Sequence, residues 1–141
     1  MFDAAPFAYA EYIAGLKHTL DRLPWERVEQ VVDVLDAARL AGHRVFIFGN
    51  GGSASTASHF ALDLAKNPVR TPDQRPPRCV SLTDNVAALT AWANDTSYDR
   101  IFEAQLMSIW RPADVLVAIS ASGNSPNVVR AVRWANERGG T

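Results

Sequence analysis

Apolar positions along the chain alternate between two rhythms. Residues 8–23 place Tyr9, Tyr12, Ile13, Leu16 and Leu20 at helical spacing, and Pro24 stops that helix. A second helix starts at Trp25, carries Val28, Val31, Val32, Leu35, Ala38 and Leu40 as its stripe, and ends at Gly42. The rhythm then changes to a short continuous run, Val45, Phe46, Ile47 and Phe48, which predicts a buried strand. Gly49, Asn50, Gly51 and Gly52 break the run, and Ser53 opens a helix over residues 54–66 that should end near Asn67 and Pro68. Residues 69–77 are rich in proline and charge and predict a surface loop.

The second half repeats the scheme. Residues 79–82 predict a strand, and Asp84 or Asn85 caps a helix carrying Val86, Leu89, Thr90 and Ala93. Asn94, Asp95 and Thr96 predict a turn, and residues 97–109 a further helix. Residues 115–119 predict a third strand, by their pattern the most plainly buried run in the chain. After the serine-rich residues 120–125, Pro126 starts a helix through Val128, Val129, Ala131, Val132 and Trp134, closed by Gly139 and Gly140. Strands alternating with helices predict an α/β fold with a doubly wound parallel sheet. Only three strands are visible, and the sequence stops where a fourth would follow. The pattern therefore predicts a fragment, or a sheet completed by a partner.

Length changes this picture little: 141 residues suit one domain with a real core. Hydrophobic residues at 48% and charged residues at 21% are a globular composition. A net charge of −1 gives no electrostatic case for nucleic acid or an anionic membrane. No apolar run reaches a bilayer span and the N-terminus lacks a signal-peptide pattern, so a cytoplasmic protein is expected. The single cysteine, Cys79, excludes an internal disulfide and a cysteine-cluster metal site, and its apolar neighbours predict a small buried side chain. The first two helices precede the sheet and cannot be crossovers. They either pack across one end of the domain or form an oligomerising hairpin, and the surplus apolar surface of Phe7, Tyr9 and Trp25 favours the hairpin.

Candidate chemistry gathers after the first and third strands, where ligands collect in such sheets. Ser120, Ser122 and Ser125, with Ala121, Gly123 and Asn124, bring hydroxyls and backbone N–H groups to a helix N-terminus, which suits phosphate oxygens. The plainer alternative is that these serines only cap the helix. Residues 49–54 also fit the G-x-G-x-x-A dinucleotide fingerprint, with Asp84 as a ribose-binding acid, although Asp84 comes late for that role. A Walker loop is excluded because no Gly-Lys-Ser/Thr follows. Ser55, His59 and Asp63 share one helical face, and His59 with Asp63 could ligate a metal or act as an acid–base pair.

The two loops, with His59, Phe60 and Ala61 between them, resemble the SIS (sugar isomerase) domain, and within it the phosphoheptose isomerases. The resemblance implies a flavodoxin-like sheet (residues 44–141) preceded by an oligomerising helix pair (residues 1–43), in a homotetramer. It implies interconversion of sedoheptulose 7-phosphate and D-glycero-D-manno-heptose 7-phosphate, with no nucleotide. It implies substrate contacts from Asn50, Gly51, Gly52, Ser53, Asn94, Ser120, Ala121, Ser122 and Ser125, the serines taking the phosphate. His59, Asp63 and Asp95 take catalytic positions, and His59 with Asp63 a zinc position that some members use. Asp63 stands where the family commonly has glutamate, and Asn67 where it often has arginine, with Lys66 and Arg70 as substitutes. The family's second catalytic histidine and a metal-binding glutamine fall beyond Thr141. A noncatalytic SIS module binding a sugar phosphate or a protein is the alternative.

Overall fold

The computed structural model describes residues 8–66, 71 and 74–141. The chain divides into two units, Met1–Val32 and Asp33–Thr141. The first contains α1 (Tyr9–Asp21), which buries none of its residues, and the start of α2 (Trp25–Ala41). The expected helix stop at Asn67 and Pro68, much of the proline-rich loop, and Phe7 and Arg70 lie outside the described residues.

The second unit is built on β1 (Arg44–Gly49), β2 (Arg78–Ser81) and β3 (Val115–Ile119), all parallel, in the order β2-β1-β3. Between β1 and β2 runs α3 (Gly52–Lys66). Between β2 and β3 run α4 (Val86–Asp95), a 3-10 turn (Tyr98–Arg100) and α5 (Ile101–Ile109), and α6 (Pro126–Asn136) follows β3. Asn85 caps α4, its side chain accepting from Ala88 N at 3.0 Å.

Because β1 is central, both its faces are covered, and residues 45–49 are all buried. On one face Phe46 and Phe48 join Leu82, Phe102, Leu106 and Val128. On the other, Val45 and Ile47 join Ala38, Ala57, Ala61 and Val115. β1, not β3, is therefore the most buried strand. At the sheet edge β3 buries only Val115 fully and leaves Ala118 exposed, since an apolar sequence cannot show which strand lies inside. Cys79, on the other edge strand, is partly buried, and that burial raises its thiol to about 11.

Two local expectations are corrected. Asn94 and Asp95 close α4 rather than forming a turn, because helical bonding persists to Thr96, whose N–H and hydroxyl both donate to Trp92 O. Residues 97–109 do not form one helix. Ser97 is extended and its hydroxyl bonds the Asp99 carboxylate, a local competitor to helical bonding, so a 3-10 turn precedes α5.

Candidate functional site

Strand order reverses between β1 and β3, so the crevice outside their carboxyl ends lies at the topological switch point. The two loops meet there. Gly49 pairs with Ile119 in register, and a Cβ on Gly49 would come within 2.6 Å of the Ile119 carbonyl oxygen and 2.7 Å of Ser53 Cβ. Only glycine lets β1, β3 and the start of α3 close this tightly. Gly51 then takes a positive φ of 54°, and the N–H groups of Ser53 and Ala54 turn back onto the carbonyls of Asn50 and Gly51.

A reciprocal amide pair ties the loops together. Asn50 Nδ2 donates to Asn127 Oδ1 at 2.9 Å, and Asn127 Nδ2 donates to Asn50 Oδ1 at 2.8 Å. Tyr98 Oη also donates to Asn50 Oδ1, at 3.2 Å. Asn127 and Tyr98 carry no sequence signal of their own. Each is an ordinary helix-start residue until the fold sets it against Asn50.

In the serine loop, Ser120 Oγ accepts from Gly123 N at 3.1 Å and Ser122 Oγ from Asn124 N at 3.3 Å. These bonds shape the loop and use each hydroxyl as acceptor, leaving its proton to be donated. Ser125 occupies the N-cap position of α6, yet its side chain makes no capping bond. Its carbonyl, not its hydroxyl, takes the N–H groups of Val128 and Val129. The half-buried hydroxyl is thus set beside a helix N-terminus without serving the helix.

The other candidates lie on α3 and at the end of α4. His59 and Asp63 are on the exposed face of α3, while Phe60 and Leu64 pack inward, as their spacing predicts. His59 lies seven positions after Gly52, about 10 Å of helical rise. Asn94 donates to Asp95 at 2.9 Å at the end of α4. Zinc takes four ligands, or three and a water. His59 and Asp63 supply two, and the described residues contain no group of three or more His, Cys, Asp or Glu able to hold a metal. The described donor set alone does not fit zinc. Asp84, the ribose-acid candidate, has its carboxylate hydrogen-bonded by the Ser58 hydroxyl and approached by Thr83.

Beside the serine loop, a cleft of about 580 Å³ is bordered by Asn124, Pro126, Arg130 and Arg133. Arg130 spans Glu103 at 2.5 Å and Asp99 at 3.3 Å. The Ser97 hydroxyl, and then Arg130, hold the Asp99 carboxyl below its ordinary value.

Comparison with known proteins places this geometry in a family. The SIS domain model matches residues 8–141. The chain belongs to the SIS domain family, in the branch that contains the phosphoheptose isomerases. It is 38% identical over 114 residues to a probable phosphoheptose isomerase of Thermoplasma acidophilum, covering 81% of this chain and 62% of that one. To the phosphoheptose isomerase of Shewanella denitrificans it is 35% identical over 139 residues, covering 98% of this chain and 69% of that one. The structure of phosphoheptose isomerase GmhA from Neisseria gonorrhoeae superposes with a TM-score of 0.80 at 35% identity, covering 94% of this chain and 67% of that one. The chain spans 62% and 56% of the length of the first two curated relatives it matches. No described helix is long and apolar enough to cross a membrane.

Proposed function

We propose that the two loops bind a sugar phosphate, and that the protein interconverts sedoheptulose 7-phosphate and D-glycero-D-manno-heptose 7-phosphate. The observation that carries this reading is the Ser125 hydroxyl at the α6 N-terminus, which makes no capping bond, on the loop that follows a strand end brought against the glycine loop at Gly49. Phosphate falls to Ser120, Ser122 and Ser125, and the sugar to Asn50, Gly51, Gly52, Ser53 and Asn94. The relatives' shared name supports the same chemistry.

Ketose–aldose isomerisation moves one proton between C1 and C2 through an enediolate, with no net loss or gain of atoms. A base takes the C1 proton, and an acid returns one at C2 while the carbonyl passes to C1. His59, Asp63 and Asp95 are the side chains we assign to that traffic. Asp63 keeps a carboxylate, about one methylene shorter than glutamate. A zinc ion on His59 and Asp63 would need donors beyond the described residues. The exposed stripe of α1 and α2, including Tyr9, Tyr12, Trp25 and Val32, supports a homo-oligomer, with a tetramer as the form we propose. A cytoplasmic location follows from the same reading, since charged sugar phosphates are retained inside cells.

Turnover of sedoheptulose 7-phosphate by the protein, reduced at least a hundredfold by Asp63→Asn, is the expected result. Saturable binding of the sugar phosphate without any turnover would instead support the noncatalytic module. Sedimentation of a monomer would remove the oligomer from the reading.

A further inference from the structure

Asn127 is only 2% exposed, and its Oδ1 accepts both Asn50 Nδ2 at 2.9 Å and Val128 N at 3.0 Å. A backbone N–H can only face an acceptor, so the Val128 contact fixes which end of the Asn127 amide is oxygen. The reciprocal pair then fixes Asn50: its nitrogen must face Asn127 Oδ1 and its oxygen must face Asn127 Nδ2. An amide oxygen offers two lone pairs. On Asn50 both are taken, by Asn127 Nδ2 at 2.8 Å and Tyr98 Oη at 3.2 Å. One N–H is all that this side chain has left to present to a ligand.

We propose that Asn127 and Tyr98 are positioning residues that hold Asn50 as a donor-only contact, so that the sugar oxygen it meets serves as the acceptor. The proposal rests on the sugar-phosphate reading and narrows it. A hydroxyl or a carbonyl oxygen of the sugar can accept from this fixed N–H, and the bond strengthens on whichever oxygen gains negative charge in the enediolate. A freely rotating asparagine would meet a hydroxyl equally well with either end. The pair also ties the sugar loop at Asn50 to the first turn of α6 at Asn127.

Titration of the protein with sedoheptulose 7-phosphate and, separately, with inorganic phosphate tests this. Asn127→Ala should weaken the sugar phosphate about tenfold and leave inorganic phosphate within twofold, because the serine loop is untouched. Tyr98→Phe, at a residue 60% exposed, should show the same split at about threefold. It decides the matter alone if Asn127→Ala fails to fold. Equal losses for the two ligands, or no loss for either, would overturn the proposal by leaving the clamp a purely structural role. A wild-type protein with no saturable affinity for the sugar phosphate would overturn the proposed function itself, whatever the variants do.

Discussion

At the amino end of β3, Asp114 is 2% exposed and both its carboxylate oxygens are occupied, by Arg44 N at 2.8 Å and Arg111 N at 2.9 Å. At the carboxyl end of the same strand, six residues on from Ile119, Ser125 leaves its hydroxyl without a capping bond. The amino end is stapled throughout: Arg44 reaches the Ile109 carbonyl, Trp110 Nε1 donates to Arg138 O, and Trp110 packs on Phe46 and Trp134. The carboxyl end is held by the Gly49 contact, the Asn50–Asn127 amide pair and bonds within the serine loop, and its Ser125 hydroxyl makes no capping bond. Satisfied polar groups stabilise, and groups with open valences recognise. One strand therefore carries a stability end and a recognition end, which mutation can separate.

The largest effect should come from Asp114→Ala. It strips two part-buried N–H groups of their buried acceptor, which costs about 2 kcal/mol in urea denaturation, while phosphate affinity below the melting range stays unchanged. Ser125→Ala should behave in the opposite way. Phosphate affinity falls about tenfold, or ~1.4 kcal/mol, and stability moves by less than about 0.5 kcal/mol. Had the serine served only as a cap, stability would fall by about 1 kcal/mol and affinity would hold.

A smaller effect sharpens the stapled end. Ala113 adopts a φ of 70°, a left-handed conformation that a Cβ disfavours, while its N–H donates to Gly139 O at 2.8 Å. Ala113→Gly should stabilise the fold by up to about 1 kcal/mol without altering affinity, measured by thermal unfolding and titration. The smallest effect is electrostatic. The Ser97 hydroxyl and Arg130 depress the Asp99 carboxyl, so the folded state binds that proton less readily than the unfolded state. The stability this contributes is present above the unfolded pKa and is lost as pH falls through the lower folded value. Asp99→Asn should thus be slightly less stable than wild type at pH 7 and equal to it once the carboxyl is protonated.

The alternation of strands and helices was legible because β1 and the helices follow distinct periods, and Gly49 to Ser53 mark their own break. The relative burial of the strands was not. β1 and β3 are both apolar runs, and only the order β2-β1-β3 makes one central and the other an edge. The serine loop could be read as a ligand loop from composition, but whether Ser125 caps α6 is a matter of rotamer and distance. Asn94 and Asp95 favour turns locally, and helical bonding onto Trp92 overrode them. Asn127 was invisible for a different reason. Its partner lies far away in sequence, and a single asparagine after Pro126 belongs to no motif.

A heteronuclear NMR titration of the protein with sedoheptulose 7-phosphate, with inorganic phosphate as reference, tests the recognition end most directly. Phosphate alone should shift the amides of Ser120, Ser122 and Ser125, and the sugar phosphate should shift these together with Asn50, Gly51 and Ser53, saturably. Shifts centred instead on the Arg130 and Arg133 cleft, or no saturable shift in either loop, would contradict the two-loop site.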